Sequence, residues 1–165
     1  MTANTAIQEF DGSLTTVLTG ATAVLATSNY AVNGTNATIT EVDFQGTGDK
    51  WPLARAIFTG QWATITSIVG KTLDLYYIPT DIDGTDTHDS EMPTTTVLNG
   101  GHYVGSFVVT TGVSATDMYL ELQGGPFSLL GRKKGKFSLY NNTGQSVSTG
   151  WTVKIEGLSL IPSSS

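Results

Sequence analysis

Apolar and polar residues alternate with a period of two along much of this chain, most clearly near its C-terminal end. Between Lys136 and Pro162, Phe137 and Leu139 point one way while Ser138 and Tyr140 point the other. Asn141-Asn142-Thr143-Gly144 supplies residues that tolerate left-handed backbone angles, so a turn is predicted there. Trp151, Val153 and Ile155 then share a face, with Thr152, Lys154 and Glu156 opposite. The phase slips at Gly157, because Leu158 and Leu160 carry the apolar face onward, which predicts a bulge or bend. The expectation is a long antiparallel pair closing the chain.

The same pattern recurs upstream. Lys71–Thr80 places Leu73, Leu75 and Tyr77 inward, with Asp74 and Tyr76 outward. Ser13–Gly20, Ala21–Thr27, Ala37–Phe44, His102–Thr110 and Asp117–Gln123 read as further strands, and Asn33-Gly34 is a strong hairpin signal. Ala54–Phe58 and Gln61–Val69 flank Thr59-Gly60, a candidate tight turn. Asp81–Gly101 reads as a long loop, Gly124–Gly135 as a glycine-punctuated connection, and no segment has a convincing helical period. About nine or ten short strands separated by turns predict an all-β fold, a single antiparallel β-sandwich, with long crossing loops favouring a jelly roll. The expected division is an N-terminal arm over 1–12, a sandwich over 13–162 and a short tail over 163–165.

Composition narrows the function more than the fold. The chain has 165 residues and no cysteine, so a core must hold without disulfides or thiolate-bound metal. Charged residues make up 13%, against a norm of about 25%. Thr, Ser, Asn and Gly fill the polar positions, and such neutral groups are cheaper to desolvate than ions. With a net charge of -6, nucleic acid is not an expected partner. No apolar run is long enough to cross a bilayer, so no membrane association is expected. The opening MTANTAIQEFDG lacks a basic flank and an apolar core, so a secretory signal is not expected either.

Few residues suggest chemistry. Oxygen ligands crowd the loop Asp81-Ile82-Asp83-Gly84-Thr85-Asp86-Thr87-His88-Asp89-Ser90-Glu91, but the spacing fails the helix-loop-helix calcium pattern, and a solvated loop tip is the plainer reading. His88 and His102 are the only histidines, too few for a His-based zinc site, so no metal, cofactor or catalytic residue is expected. His102 is expected at a strand start. Arg132-Lys133-Lys134-Gly135-Lys136 concentrates positive charge in one turn that could meet an acidic partner surface. Trp62 and Trp151 fall in strand alternation and read as core. Trp51, beside Pro52, together with Tyr30 is the better candidate for an exposed sugar-stacking platform. Asn33-Gly34-Thr35, Asn36-Ala37-Thr38 and Asn141-Asn142-Thr143 match the glycosylation acceptor pattern, and read as composition.

Three segments carry a family resemblance. Leu73-Asp74-Leu75-Tyr76-Tyr77-Ile78-Pro79-Thr80-Asp81-Ile82-Asp83-Gly84-Thr85 is one, Gly105-Ser106-Phe107-Val108-Val109 the second. Phe137-Ser138-Leu139-Tyr140-Asn141-Asn142-Thr143-Gly144-Gln145, followed by Gly150-Trp151, is the third. In this order they resemble small virion structural proteins of tailed bacteriophages, of the head decoration (cement) or tail-associated kind. The resemblance implies a non-enzymatic protein made in the host bacterial cytoplasm and carried on the virion. Its implied place is the outer capsid surface, against the major capsid protein, as a homo-oligomer with a trimer favoured. Candidate partner contacts are Thr2 and Phe10 in the arm, Asp81, Asp83 and Asp86 in the acidic loop, and Arg132, Lys133, Lys134 and Lys136 in the basic turn. The alternative expectation is a carbohydrate- or receptor-binding β-sandwich of a tail fibre, using Trp51 and Tyr30.

Overall fold

The structure is a computed structural model that describes residues 6–10, 13–44, 53–80, 93–98, 100–110, 115–128 and 134–162. These form eleven strands: β1 (Ala6–Phe10), β2 (Thr15–Gly20), β3 (Thr38–Ile39), β4 (Val42–Asp43), β5 (Leu53–Gly60), β6 (Thr72–Pro79), β7 (His102–Val108), β8 (Met118–Glu121), β9 (Phe127–Ser128), β10 (Lys134–Asn142) and β11 (Trp151–Pro162). No helix occurs among the described residues. The fold is all-β, as the alternation predicts, in two antiparallel sheets.

The larger sheet has the order β3-β2-β11-β5-β8. β1 and β2 run end to end along one side of β11, Phe10 opposite Leu158 and Thr15 opposite Ile155. β8 and β9 share one side of β5 in the same way. The smaller sheet has the order β4-β10-β6-β7. Successive strands pass repeatedly between the two sheets.

Inward residues of both sheets meet in one core. Leu73, Leu75 and Tyr77 from β6 and Phe137 and Leu139 from β10 join Ala56 and Phe58 from β5 and Trp151, Val153 and Ile155 from β11, all buried. Phe58 and Phe107 approach across the core at 6.0 Å, and Phe127 and Phe137 at 6.1 Å. Each such ring withdraws enough apolar surface to stabilise the fold by roughly 1.5–3 kcal/mol. Trp62 and Trp151 are both in this core, as expected, and their indole N–H groups meet no acceptor, so the rings serve as hydrocarbon.

Several local expectations need correction. β10 and β11 do not pair with each other but belong to different sheets. Their apolar faces look toward one another through the core rather than lying side by side, and period-two alternation suits either arrangement. The linking segment crosses the end of the body, with Val147 bridging to both Leu25 and Trp62. Thr59-Gly60 is no turn: β5 runs through it, and a Cβ on Gly60 would press on Phe58 and Trp151. Gln61–Val69 forms turns and one bridge instead of a strand, and Ala37–Phe44 splits into β3 and β4 on opposite sheets. Gly157 stays in register with Ala54, while the irregularity in β11 falls between Val153 and Lys154, against β2. Within the segment set apart as an arm, Ala6–Phe10 is β1, hydrogen-bonded to the far half of β11.

Candidate functional site

Most residues singled out for partner contacts lie outside the described residues: Thr2, Asp81, Asp83, Asp86, Arg132 and Lys133, as does Trp51 of the alternative sugar platform. Lys134 and Lys136 belong to β10 rather than to a turn, opposite Asp43 of β4 and Ile78 of β6 respectively. Phe10 is the last residue of β1. His102 begins β7 and is exposed. Tyr30 is the one whose surroundings form a recognisable constellation.

Tyr30 sits beside β10, not in a named strand. Its neighbours hold the free edge of that strand: Ala31 N–H donates to Leu139 O (2.8 Å), Ser28 N–H to Asn141 O (2.7 Å), and Asn141 N–H to Asn29 O (3.0 Å). Asn36 fixes the loop from behind. Its amide donates to the Tyr30 carbonyl (2.8 Å) and its Oδ1 accepts from Val32 N–H (2.6 Å). The Asn33-Gly34 signal is thus a tight turn, with Gly34 at φ +73°, inside a loop that presents Tyr30. At the far end of the same edge, buried Asn141 donates to Leu25 O (3.0 Å) and Gln145 O (2.8 Å) and accepts from Thr143 N–H (3.0 Å). Asn36 and Asn141 are therefore structural amides, in keeping with their reading as composition rather than glycosylation acceptors.

Strand register then assembles a face on the outer side of the smaller sheet. Tyr30 is bridged to Tyr140 of β10, which lies opposite Asp74 of β6, which lies opposite Ser106 of β7. One step along, Tyr76 of β6 stands opposite Tyr103 of β7. An irregularity in β7 between these two rows turns Tyr103 to the same side. Four rings result in mutual contact: Tyr30–Tyr140 at 4.6 Å, Tyr30–Tyr76 at 5.7 Å and Tyr76–Tyr103 at 5.7 Å between centroids. The last two are edge-to-face, an arrangement favoured by the ring quadrupoles. Polar atoms link the same residues: Ser106 Oγ donates to Asp74 Oδ1 (2.6 Å) and lies 2.7 Å from Tyr103 Oη.

Crowding shifts the phenols. Tyr76 is pushed up to about 12, chiefly by burial and then by Tyr30, Asp74 and Tyr103 around it. Tyr30 is also raised, by burial first and then by Tyr140. Both hydroxyls therefore stay protonated at neutral pH and can both donate and accept hydrogen bonds. Tyr103 is 60% exposed, so the face is open at the β7 side.

No family model matches the chain, and no curated protein matches it at a significant level.

Other surface features offer less chemistry. Among the described residues, no group of three His, Asp or Glu side chains could hold a metal ion, and no helix is long and apolar enough to cross a membrane. A shallow depression of about 160 Å³ beside β2 is lined by Thr19, Gly20, Thr22, Thr35 and Thr38, with no ionisable group. The alternation of the sequence points Asp74 and Tyr76 outward on β6 and Tyr140 outward on β10, but has no means of joining them. A tyrosine at outward positions of several strands is the available signal.

Proposed function

We propose that the chain is a non-enzymatic virion protein of the head-decoration kind, a jelly-roll-like body that works through its outside rather than through a cleft. It docks on the outer surface of an assembled capsid, against the major capsid protein, as a small symmetric oligomer such as a trimer. Made in the host cytoplasm, it joins the particle once the lattice exists. Binding only the assembled lattice stabilises that lattice by linkage, and repeated weak contacts add through effective concentration.

One observation carries the reading. Of the three segments that resemble virion proteins, the described strand portions lie on neighbouring strands; Asp81–Thr85 lies outside the described residues, and Trp151 begins β11 of the larger sheet. Leu73–Thr80 comprises β6 and the residue after it, Gly105–Val109 ends β7, and Phe137–Asn142 is most of β10. These are three neighbouring strands of the smaller sheet. That much of the shared pattern falls on adjacent strands of one sheet supports the reading. A sparsely charged exterior is consistent with extensive contact at low desolvation cost.

The test is direct. Particles of the virus that encodes the chain, purified and imaged by electron microscopy, should show density for this body on the head at lattice-ordered positions. Purified protein added to heads lacking it should bind and raise their disruption temperature. Its absence from purified particles, or heads that neither bind nor gain stability, would overturn the reading.

A further inference from the structure

We propose that the outer face of the smaller sheet, formed by Tyr30, Tyr76, Tyr103, Tyr140, Asp74 and Ser106, is a binding site for neutral carbohydrate. It goes beyond the decoration reading and holds whether or not the chain sits on a capsid.

Three properties point to a sugar. A pyranose ring has a face of C–H bonds and an edge of hydroxyls, so it needs a flat apolar surface flanked by fixed hydrogen-bonding groups. The exposed Tyr103 offers such a ring surface, with the neighbouring tyrosines packed against it in turn and the Asp74 and Ser106 oxygens beside it. The rings of the face are in contact at 5.7 Å from Tyr30 to Tyr76 and again from Tyr76 to Tyr103, so the face is continuous across three elements. Asp74 lies among them with one carboxylate oxygen taken by Ser106 at 2.6 Å, and it can accept sugar hydroxyls through the other.

The second property is charge. Among these six residues Asp74 is the one carboxylate and there is no basic side chain, while burial holds the Tyr30 and Tyr76 phenols protonated. An anionic ligand such as nucleic acid or an acidic glycan would meet that carboxylate in the middle of the face, Lys136 standing at its end opposite Ile78. A cationic ligand of the kind held in aromatic cages needs rings standing apart around a gap. Here the rings touch one another, with Tyr30 and Tyr140 only 4.6 Å apart between centroids. A neutral polyol fits both conditions.

The third property is rigidity. Tyr76 and Tyr140 stand on paired central strands, Tyr30 is held by the Asn36 amide, and Tyr103 is tied at its hydroxyl to Ser106. Rings already ordered lose little freedom on binding, which raises the affinity available from a few contacts. Hydroxyl tips on apolar bodies also let the face remain stably wet when empty.

The experiment uses an immobilised panel of neutral hexose oligosaccharides, probed with the full chain and with single variants. Binding to at least one neutral oligosaccharide is expected. Tyr103→Ala, at the open side of the face, should weaken it roughly tenfold, the loss of one stacked ring. Asp74→Asn should weaken it by a similar factor while keeping the shape of the site, and Tyr119→Ala, on the opposite sheet, should leave it unchanged. Circular dichroism of each variant guards against misfolding. No binding by the unaltered chain, or binding that survives both Tyr103→Ala and Asp74→Asn, overturns the site. If the panel is silent but heads bind the chain and release the Tyr103→Ala variant, the face is a protein interface: the sugar site fails and the decoration reading stands. If sugar binds and heads do not, the sugar site stands and the decoration reading fails.

Discussion

The outer faces of the two sheets use their polar residues in opposite ways. On the larger sheet, Arg55 of β5 reaches Glu156 of β11 with both Nε and Nη2 at 2.6 Å from Oε2, and Nη1 lies 3.9 Å from Glu121 of β8. Glu156 is only 4% exposed, so this is a charge pair largely spent within the molecule. The nearby Tyr119 is 74% exposed and is in contact with no other aromatic ring among the described residues. On the smaller sheet the roles reverse: the aromatics cluster, and the one carboxylate among them is held by a neutral hydroxyl. One face satisfies its charges and offers little; the other keeps amphipathic groups ordered and available. The same architecture thus separates a face closed by an ion pair from one closed by packed rings.

That contrast can be broken at several strengths. The largest effect should be common to both sheets, because each tucks an aromatic ring over a glycine. A Cβ on Gly20 would overlap the Trp151 indole, and one on Gly135 would overlap the Tyr77 ring. Gly20→Ala and Gly135→Ala should each destabilise by about 3 kcal/mol in urea unfolding. A small effect in either would mean that the ring does not occupy the glycine's place.

Next comes the ion pair. Glu156→Ala strands a partly buried guanidinium and should cost roughly 2 kcal/mol, with part regained in an Arg55→Met, Glu156→Leu double variant. Asp74→Ala, on the other face, should stay under about 1 kcal/mol in the same unfolding assay. Equal losses would erase the distinction between the faces.

A finer comparison sets Tyr76 against Tyr119. Tyr76→Ala removes contacts with two rings and should destabilise by about 1–2 kcal/mol, whereas Tyr119→Ala should lie within ~0.5 kcal/mol of the parent.

The smallest signal is in pH. Tyr76 is raised from an ordinary value of 10.0 to about 12, and Tyr30 moves the same way. The native state therefore holds these protons more tightly than the unfolded chain. The Tyr76 contribution is complete below pH 10.0 and is lost as pH climbs toward about 12. Tyrosinate absorbance should show a late-titrating component that disappears in Tyr76→Phe. Its persistence would mean that Tyr76 is not the crowded phenol.

Strand identity is legible where the pattern is strong. Leu73, Leu75 and Tyr77 are buried as the alternation of Lys71–Thr80 requires, and so are Phe137, Leu139, Trp151, Val153 and Ile155. Legibility fails where a local signal has a nonlocal cause. Thr59-Gly60 has the composition of a turn, but the glycine is there to admit Phe58 and Trp151. Asn33-Gly34 does make a turn, yet within a loop that braces Tyr30 rather than between two strands. Tyr30 stands out as an aromatic ring in a turn-rich stretch, while nothing in the chain around Tyr76, Tyr103 or Tyr140 marks those rings as its companions.

By itself the amino-acid sequence determined an all-β chain, which residues of its strongest strands point inward, and the scarcity of ionisable groups from which a catalytic centre could be built. These follow from side-chain direction along an extended backbone, which depends only on near neighbours in the chain. The tertiary structure alone decided that β10 and β11 part to different sheets, and that β10, β6 and β7 lie together with Tyr140, Tyr76 and Tyr103 on one side. Strand pairing joins residues dozens of positions apart, and it is selected by how the two inner faces fill the core, a choice that period-two alternation leaves open.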